Sequence, residues 1–167
     1  MLIRPPPQHR PVPPRLPPRP VVLDTNVVLD WLLFDHADGR VLDAALSTGE
    51  LHWVATAAMH DEFDHVLARG ALDRWQPDLS VLRAAWARHC TELSAPAPAG
   101  ATARLRCTDP DDQKFIDLAA SQAGCLLLSR DRAVLKLGRK LAPLGVRVAT
   151  PAAWAAGRTP LAEDPRC

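Results

Sequence analysis

Apolar residues fall into short blocks separated by longer amphipathic stretches. Val21-Val22-Leu23 is one block, and it stops at Asp24. A short β-branched and aliphatic run with an abrupt polar end reads as a buried strand. Residues 26–34 are apolar on most sides and read as a buried helix. Residues 38–47 place Val41, Leu42, Ala45 and Leu46 at helical spacing, and Thr48-Gly49 ends that helix. The same reading gives a strand over 51–55 and a helix over 56–69. Gly70 suits a left-handed cap there. A helix carrying Leu82 and Trp86 follows over 79–89, then a loop over 94–103 rich in Ala and Pro. A helix over 111–123, a strand over 125–129, a helix over 131–141, a strand over 146–149 and a short helix over 151–156 complete the order. Strands alternating with helices predict an α/β domain with a parallel sheet covered on both faces. Trp31, Trp86 and Trp154 are expected in its core.

Helical phase separates the acids, because each residue advances about 100° around the axis. In 56–69 the apolar stripe is Met59, Phe63, Val66 and Leu67. Glu62 borders that stripe, Asp61 points nearly opposite, and Asp64 lies off it. In 111–123 the stripe is Phe115, Ile116, Ala119 and Ala123, and Asp112 falls inside it while Asp117 faces away. Capping alone would explain Asp112: Asp109 reads as an N-cap, Pro110 as the first helical residue, and Asp112 as the third residue of a capping box. Asp24 and Asp131 each follow an apolar strand, which puts both where open α/β sheets bind ligands. Asp131 has an N-cap alternative as well.

Composition narrows the classes. The chain of 167 residues, 47% hydrophobic and 23% charged, has the make-up of an ordinary globule. A net charge of +1 speaks against a broad basic nucleic-acid coat, though not against local phosphate contacts. No apolar run is long enough for a membrane span, and the arginine-rich start lacks the apolar segment of a secretory signal. A cytoplasmic location is expected. Cys90, Cys107, Cys125 and Cys167 form no C-x-x-C pair, as expected for reduced thiols. Residues 1–19, dominated by proline and arginine, read as an extended tail; Arg4, Arg10, Arg15 and Arg19 are either phosphate contacts or solvated. The domain is expected over 20–156, with a second tail over 157–167.

Four carboxylates in one cleft cannot all stay ionised without cations. Oxygen ligands of this kind favour Mg²⁺ or Mn²⁺ over zinc. Such ions bind phosphate oxygens and activate water, so Asp24, Glu62, Asp112 and Asp131 point to phosphodiester hydrolysis. Thr25, Asn26 and Ser129 offer supporting hydrogen bonds around them. Arg130, Arg132 and Lys136, with Arg139 and Lys140, form a cationic segment beside Asp131, either a grip on RNA phosphates or a solvated face; Arg104 and Arg106 are weaker candidates. Other chemistries fail on spacing. His60 and His65 stand five apart and diverge around a helix, unlike the zinc-protease pair. There is no Walker A motif, G-x-G-x-x-G or G-x-S-x-G.

With these residues assembled, the chain resembles the PIN-domain family, and within it the bacterial branch of toxins from toxin–antitoxin pairs. The resemblance spans about residues 20–155. It is carried by Val21 to Val27 around Asp24-Thr25-Asn26, by Asp61-Glu62-Phe63 with Val66-Leu67, by Asp109 to Phe115 with Leu118-Ala119, and by Leu128-Ser129-Arg130-Asp131. The resemblance implies a three-layer α/β/α sandwich around a parallel sheet and a Mg²⁺- or Mn²⁺-dependent ribonuclease. It implies metal-binding and catalytic roles for Asp24, Glu62, Asp112 and Asp131, with Ser129 where relatives often have threonine. It also implies an RNA substrate, a small antitoxin partner and a possible homodimer. Two departures stand out. Ala133 occupies a position where relatives often carry a further acid, and the proline-rich extension is not a family feature. Asp109 or Asp111 remain possible substitutes for Asp112. The alternative is a PIN-like module that binds RNA or protein with little or no catalysis. A phosphatase using Asp24 as nucleophile ranks last, because Asn26 breaks the Asp-x-Asp start.

Overall fold

β1 (Arg19–Leu23) lies at the centre of a parallel sheet in the computed structural model, which describes residues 17–70, 72–97 and 105–158. β2 (Leu51–Thr56), β3 (Cys90–Leu93), β4 (Leu126–Leu128) and β5 (Arg147–Ala149) complete it in the order β3-β2-β1-β4-β5. Every neighbouring pair is parallel. Val21, Val22, Leu126, Leu127 and Leu128 are all fully buried. Successive strand residues point to opposite faces, so both faces of β1 and β4 are covered. The covering helices are α1 (Thr25–Leu32), α2 (Ala37–Ser47), α3 (Ala57–Ala68), α4 (Leu79–His89), α5 (Gln113–Ser121), α6 (Arg132–Lys136), α7 (Gly138–Leu141) and α8 (Pro151–Ala156). This is the three-layer α/β/α sandwich, and Trp31, Trp86 and Trp154 are in its core. No helix among the described residues is long and apolar enough to cross a membrane.

The order of strands locates the site. From β1 the chain steps outward to β2 and β3, then returns to the other side of β1 for β4 and β5. The connections therefore leave β1 and β4 in opposite directions. A crevice opens at their carboxyl ends, the place where such sheets bind ligands.

Several sequence expectations need correction. β3 lies in a stretch not read as a strand; its burial is partial and it pairs only with β2. The helix expected over 111–123 starts instead with a 3₁₀ turn, Pro110–Asp112, and ends at Ser121. The helix expected over 131–141 is two pieces, α6 and α7. At the break, a Cβ on Gly138 would lie 3.4 Å from Val148 Cβ, so α7 runs close to β5. Arg19 belongs to β1 rather than to a tail, and its guanidinium donates to the carbonyls of Gly124 at 2.7 Å and Cys125 at 3.3 Å. The readings of residues 1–16, Arg104 and residues 159–167 lie outside the described residues. Cys90, Cys107 and Cys125 are free thiols.

Candidate active site at the carboxyl edge of the sheet

Strand register builds the centre. Leu23 pairs with Leu128, and the Asp24 N–H donates to the Leu128 carbonyl at 3.0 Å. The next residues on the two strands, Asp24 and Ser129, are thereby set side by side. Ser129 Oγ donates to Asp24 Oδ2 at 2.6 Å, and the Asn26 N–H donates to Oδ1 at 3.2 Å, so Asp24 also caps α1. Asp24 is 3% exposed and Ser129 fully buried. A buried carboxylate requires such donors. Even with them, burial pushes the Asp24 pKa above its ordinary 3.8, and the charges of Glu62 and Asp131 push it the same way.

Ser129 also orients the next acid. Its Oγ accepts the Asp131 N–H at 2.9 Å. Asp131 Oδ1 accepts the Ala133 N–H at 2.5 Å, capping α6. The N-cap reading of Asp131 holds, and it leaves the second carboxylate oxygen uncommitted among the described residues.

Glu62 arrives from the second turn of α3. Its Oε1 accepts from Thr25 Oγ1 at 2.7 Å, which ties α3 to the residue after Asp24. Its Oε2 meets the Lys114 ammonium, and Lys114 also reaches the Asp111 carbonyl. Sequence reasoning gave Lys114 no role. A signal was present: a cation in the first turn of a helix opposes the macrodipole and wants an acid partner.

Asp112 is the last residue of the 3₁₀ turn, immediately before α5. Asp109 caps that turn by accepting the Asp111 N–H at 3.0 Å. The Asp112 carboxylate makes no capping bond, so the capping-box explanation fails for it. Burial, with the charges of Asp24, Asp131, Asp109 and Glu62, pushes its pKa up to about 6. Acids from four separate elements are thus close enough to repel one another. Among the described residues, no group of three or more His, Cys, Asp or Glu side chains is closed into a ready ion-binding cage. The chemistry of the donor set still fits a hard divalent ion: anionic oxygens held together at a cost that added positive charge relieves.

Two grooves flank these acids. One of about 320 Å³ is lined by Asn26, Leu29, Asp30, Phe34, Arg130 and Asp131. The other, about 530 Å³, includes Glu62, His65, Arg69, Asp111 and Lys114. A third cleft, about 560 Å³ between α2 and α8, lies at the far edge of the sheet, where Glu50 accepts the Arg19 N–H. Of the cationic candidates, Arg130 is committed to Asp30 at 3.0 Å and Asp38 at 3.6 Å. Arg132 and Lys136 are exposed and pair with no acid among the described residues. Arg106 is also exposed.

Residues 20–133, more than half of the chain and a span containing all four acids, match the family model described as the PIN domain. No curated protein matches the chain.

Proposed function

Because this chain belongs to the PIN-domain family, whose members are in general metal-dependent nucleases, we propose that it is an endoribonuclease that hydrolyses RNA phosphodiester bonds with Mg²⁺ or Mn²⁺. The observation that carries this reading is the mutual repulsion of Asp24, Glu62, Asp112 and Asp131 at the mouth of the β1–β4 crevice. Asp24, Asp112 and Asp131 are the first choice of metal ligands, with Glu62 completing the set. A bound divalent ion supplies a Lewis acid for the phosphate and lowers the pKa of attacking water.

The chain's own residues do the rest. Ser129 fixes Asp24 and the Asp131 backbone at once, which holds two carboxylates in a set relation. Thr25 orients Glu62. Lys114 neutralises Glu62 and stands ready to meet a phosphate oxygen in exchange. Asn26, exposed beside Asp24, is placed to hydrogen-bond substrate or water. Arg132 and Lys136 offer contacts to the RNA backbone past the cut. A toxin role against cytoplasmic RNA, with a small antitoxin as partner and the chain as a homodimer, rests on likeness to the bacterial toxin branch.

The Lys114–Glu62 pair also favours a second reading, an RNA- or protein-binding module with little catalysis, since an internal cation occupies one acid. One experiment separates the two. Purified full chain is incubated with single-stranded RNA and Mn²⁺ or Mg²⁺, with EDTA and with Asp24→Asn as controls. Cleavage abolished by both controls supports the nuclease. RNA binding without metal-dependent cleavage supports the module, and cleavage that survives Asp24→Asn refutes the proposed site.

A further inference from the structure

Asp112 reaches the other acids through a stretch that packing does not hold. Thr108, Asp109, Pro110 and Asp111 are all exposed, while Leu105 upstream is buried and Cys107 half-buried. Like-charged neighbours push Asp112 outward: Asp24, Asp131, Asp109 and Glu62 all oppose its ionised form. Three hydrogen bonds from one side chain tie the stretch down. Gln113, the first residue of α5, accepts the Cys107 N–H on its Oε1 at 2.8 Å. Its Nε2 donates to the Leu105 carbonyl at 2.9 Å and to Asp117 Oδ1 at 2.8 Å. The helix behind it is seated by Phe115, Ile116, Leu118 and Ala119, all buried.

The bonds explain the residue type. The Leu105 carbonyl and the Cys107 N–H flank Arg106, and a parallel strand alongside would take the same two groups. The Gln113 amide supplies both complements from a side chain. Asp117 lies one turn further along α5, on the same face. An ionised carboxylate only accepts, so Asp117 demands the NH₂ end of the amide. The amide oxygen is then left for the Cys107 N–H. A glutamate here has no donor for the Leu105 carbonyl, and a leucine makes none of the three bonds.

Building on the nuclease reading, we propose that Gln113, oriented by Asp117, is a positioning residue that clamps the 105–107 backbone to α5 and so keeps Asp112 turned inward as a ligand for the divalent ion. None of its three bonds touches the Asp112 carboxylate. It acts through the backbone, by closing the base of the exposed loop that ends at Asp112. Partners behind a metal ligand act in this way: they fix its place before the ion arrives, so that binding does not have to order it. The clamp also gives the acid set a means to stay assembled while it is empty of cations.

The test titrates Mn²⁺ into the full chain and counts free ion by its electron paramagnetic resonance signal. Gln113→Leu is expected to bind Mn²⁺ about tenfold more weakly than wild type, as loss of a partner behind a ligand does. Arg19→Met also loses bonds to carbonyls, but at the other end of β1, and keeps wild-type affinity. That control separates positioning from general stability, and thermal melts confirm that both variants fold. A second arm needs no variant. Linkage is reciprocal, so saturating Mn²⁺ slows hydrogen exchange of the wild-type Cys107 amide about tenfold. Wild-type Mn²⁺ affinity in Gln113→Leu overturns the assignment. So does a Cys107 amide whose exchange ignores bound Mn²⁺. Failure of the nuclease reading looks different: wild type and Asp24→Asn then bind Mn²⁺ equally, and the clamp falls with it because it has no ligand to position.

Discussion

Asp112→Asn removes one charge from the acid set and leaves its shape. Asp112 is held at a pKa of about 6 against an ordinary 3.8, by burial first and by four neighbouring carboxylates after it. A rise of about two pH units corresponds to about 3 kcal/mol if taken in full. Because the side chain is only partly buried, solvent screens much of this, and roughly 1 kcal/mol is the reasonable expectation. The sign follows from proton binding. Between pH 3.8 and about 6 the folded chain holds a proton that the unfolded chain has released, so folding becomes less favourable as pH rises through that window. Asparagine escapes this penalty. Urea unfolding in EDTA is expected to show wild type and variant alike near pH 3.5, then a growing advantage for the variant that levels off above pH 6, at roughly 1 kcal/mol. Adding Mn²⁺ at pH 7 reverses the order, because an ion that binds only the folded wild type stabilises it by mass action. An Asp112→Asn variant that is less stable than wild type at pH 7 in EDTA, or a difference independent of pH, would show that Asp112 is not held among repelling carboxylates.

Three further outcomes follow from particular contacts. Ser129→Ala removes a hydrogen bond to a buried carboxylate and the acceptor of the Asp131 N–H; it is expected to lower stability by about 2 kcal/mol at pH 7 in urea melts and to reduce cleavage with it. Lys114→Met leaves Glu62 without its cation; the Mn²⁺ concentration for half-maximal stabilisation in thermal melts should fall several-fold, and an unchanged value would show that Lys114 does not compete with ions. Arg19→Met loses two bonds to carbonyls near β4; it should cost about 1 kcal/mol while leaving RNA affinity unchanged, as filter binding would show.

The sequence made the central elements legible because they are determined locally. The apolar runs at Val21 and Leu126 are buried on both faces whatever the topology, and the helix over Leu79–His89 carries its own cap in Asp78. Chemistry at the strand ends was readable for the same reason: Asp24 and Asp131 sit just past such runs. What escaped depended on partners distant in sequence. Cys90–Leu93 has little pattern of its own and is a strand because β2 offers an edge. The 131–141 helix breaks where Gly138 meets Val148. Helical phase put Asp112 on the inward side, but Asp112 lies half-buried in a 3₁₀ turn, and phase could not tell a capping carboxylate from one that makes no cap bond. Lys114 and Asp30 drew no attention because their partners, Glu62 and Arg130, lie on other elements. Arg130 reads as a free cation in sequence and is bound to Asp30 and Asp38 in the fold.

In the proposed site, carboxylates from four elements share one divalent ion. A crystal structure of the full chain grown with Mn²⁺, with anomalous data, tests it most directly. Anomalous density is expected between the carboxylates of Asp24, Asp112 and Asp131, and none in Asp24→Asn crystals grown in the same way. Ordered side chains at this edge with no manganese among them, or manganese bound only at other surface acids, would contradict it.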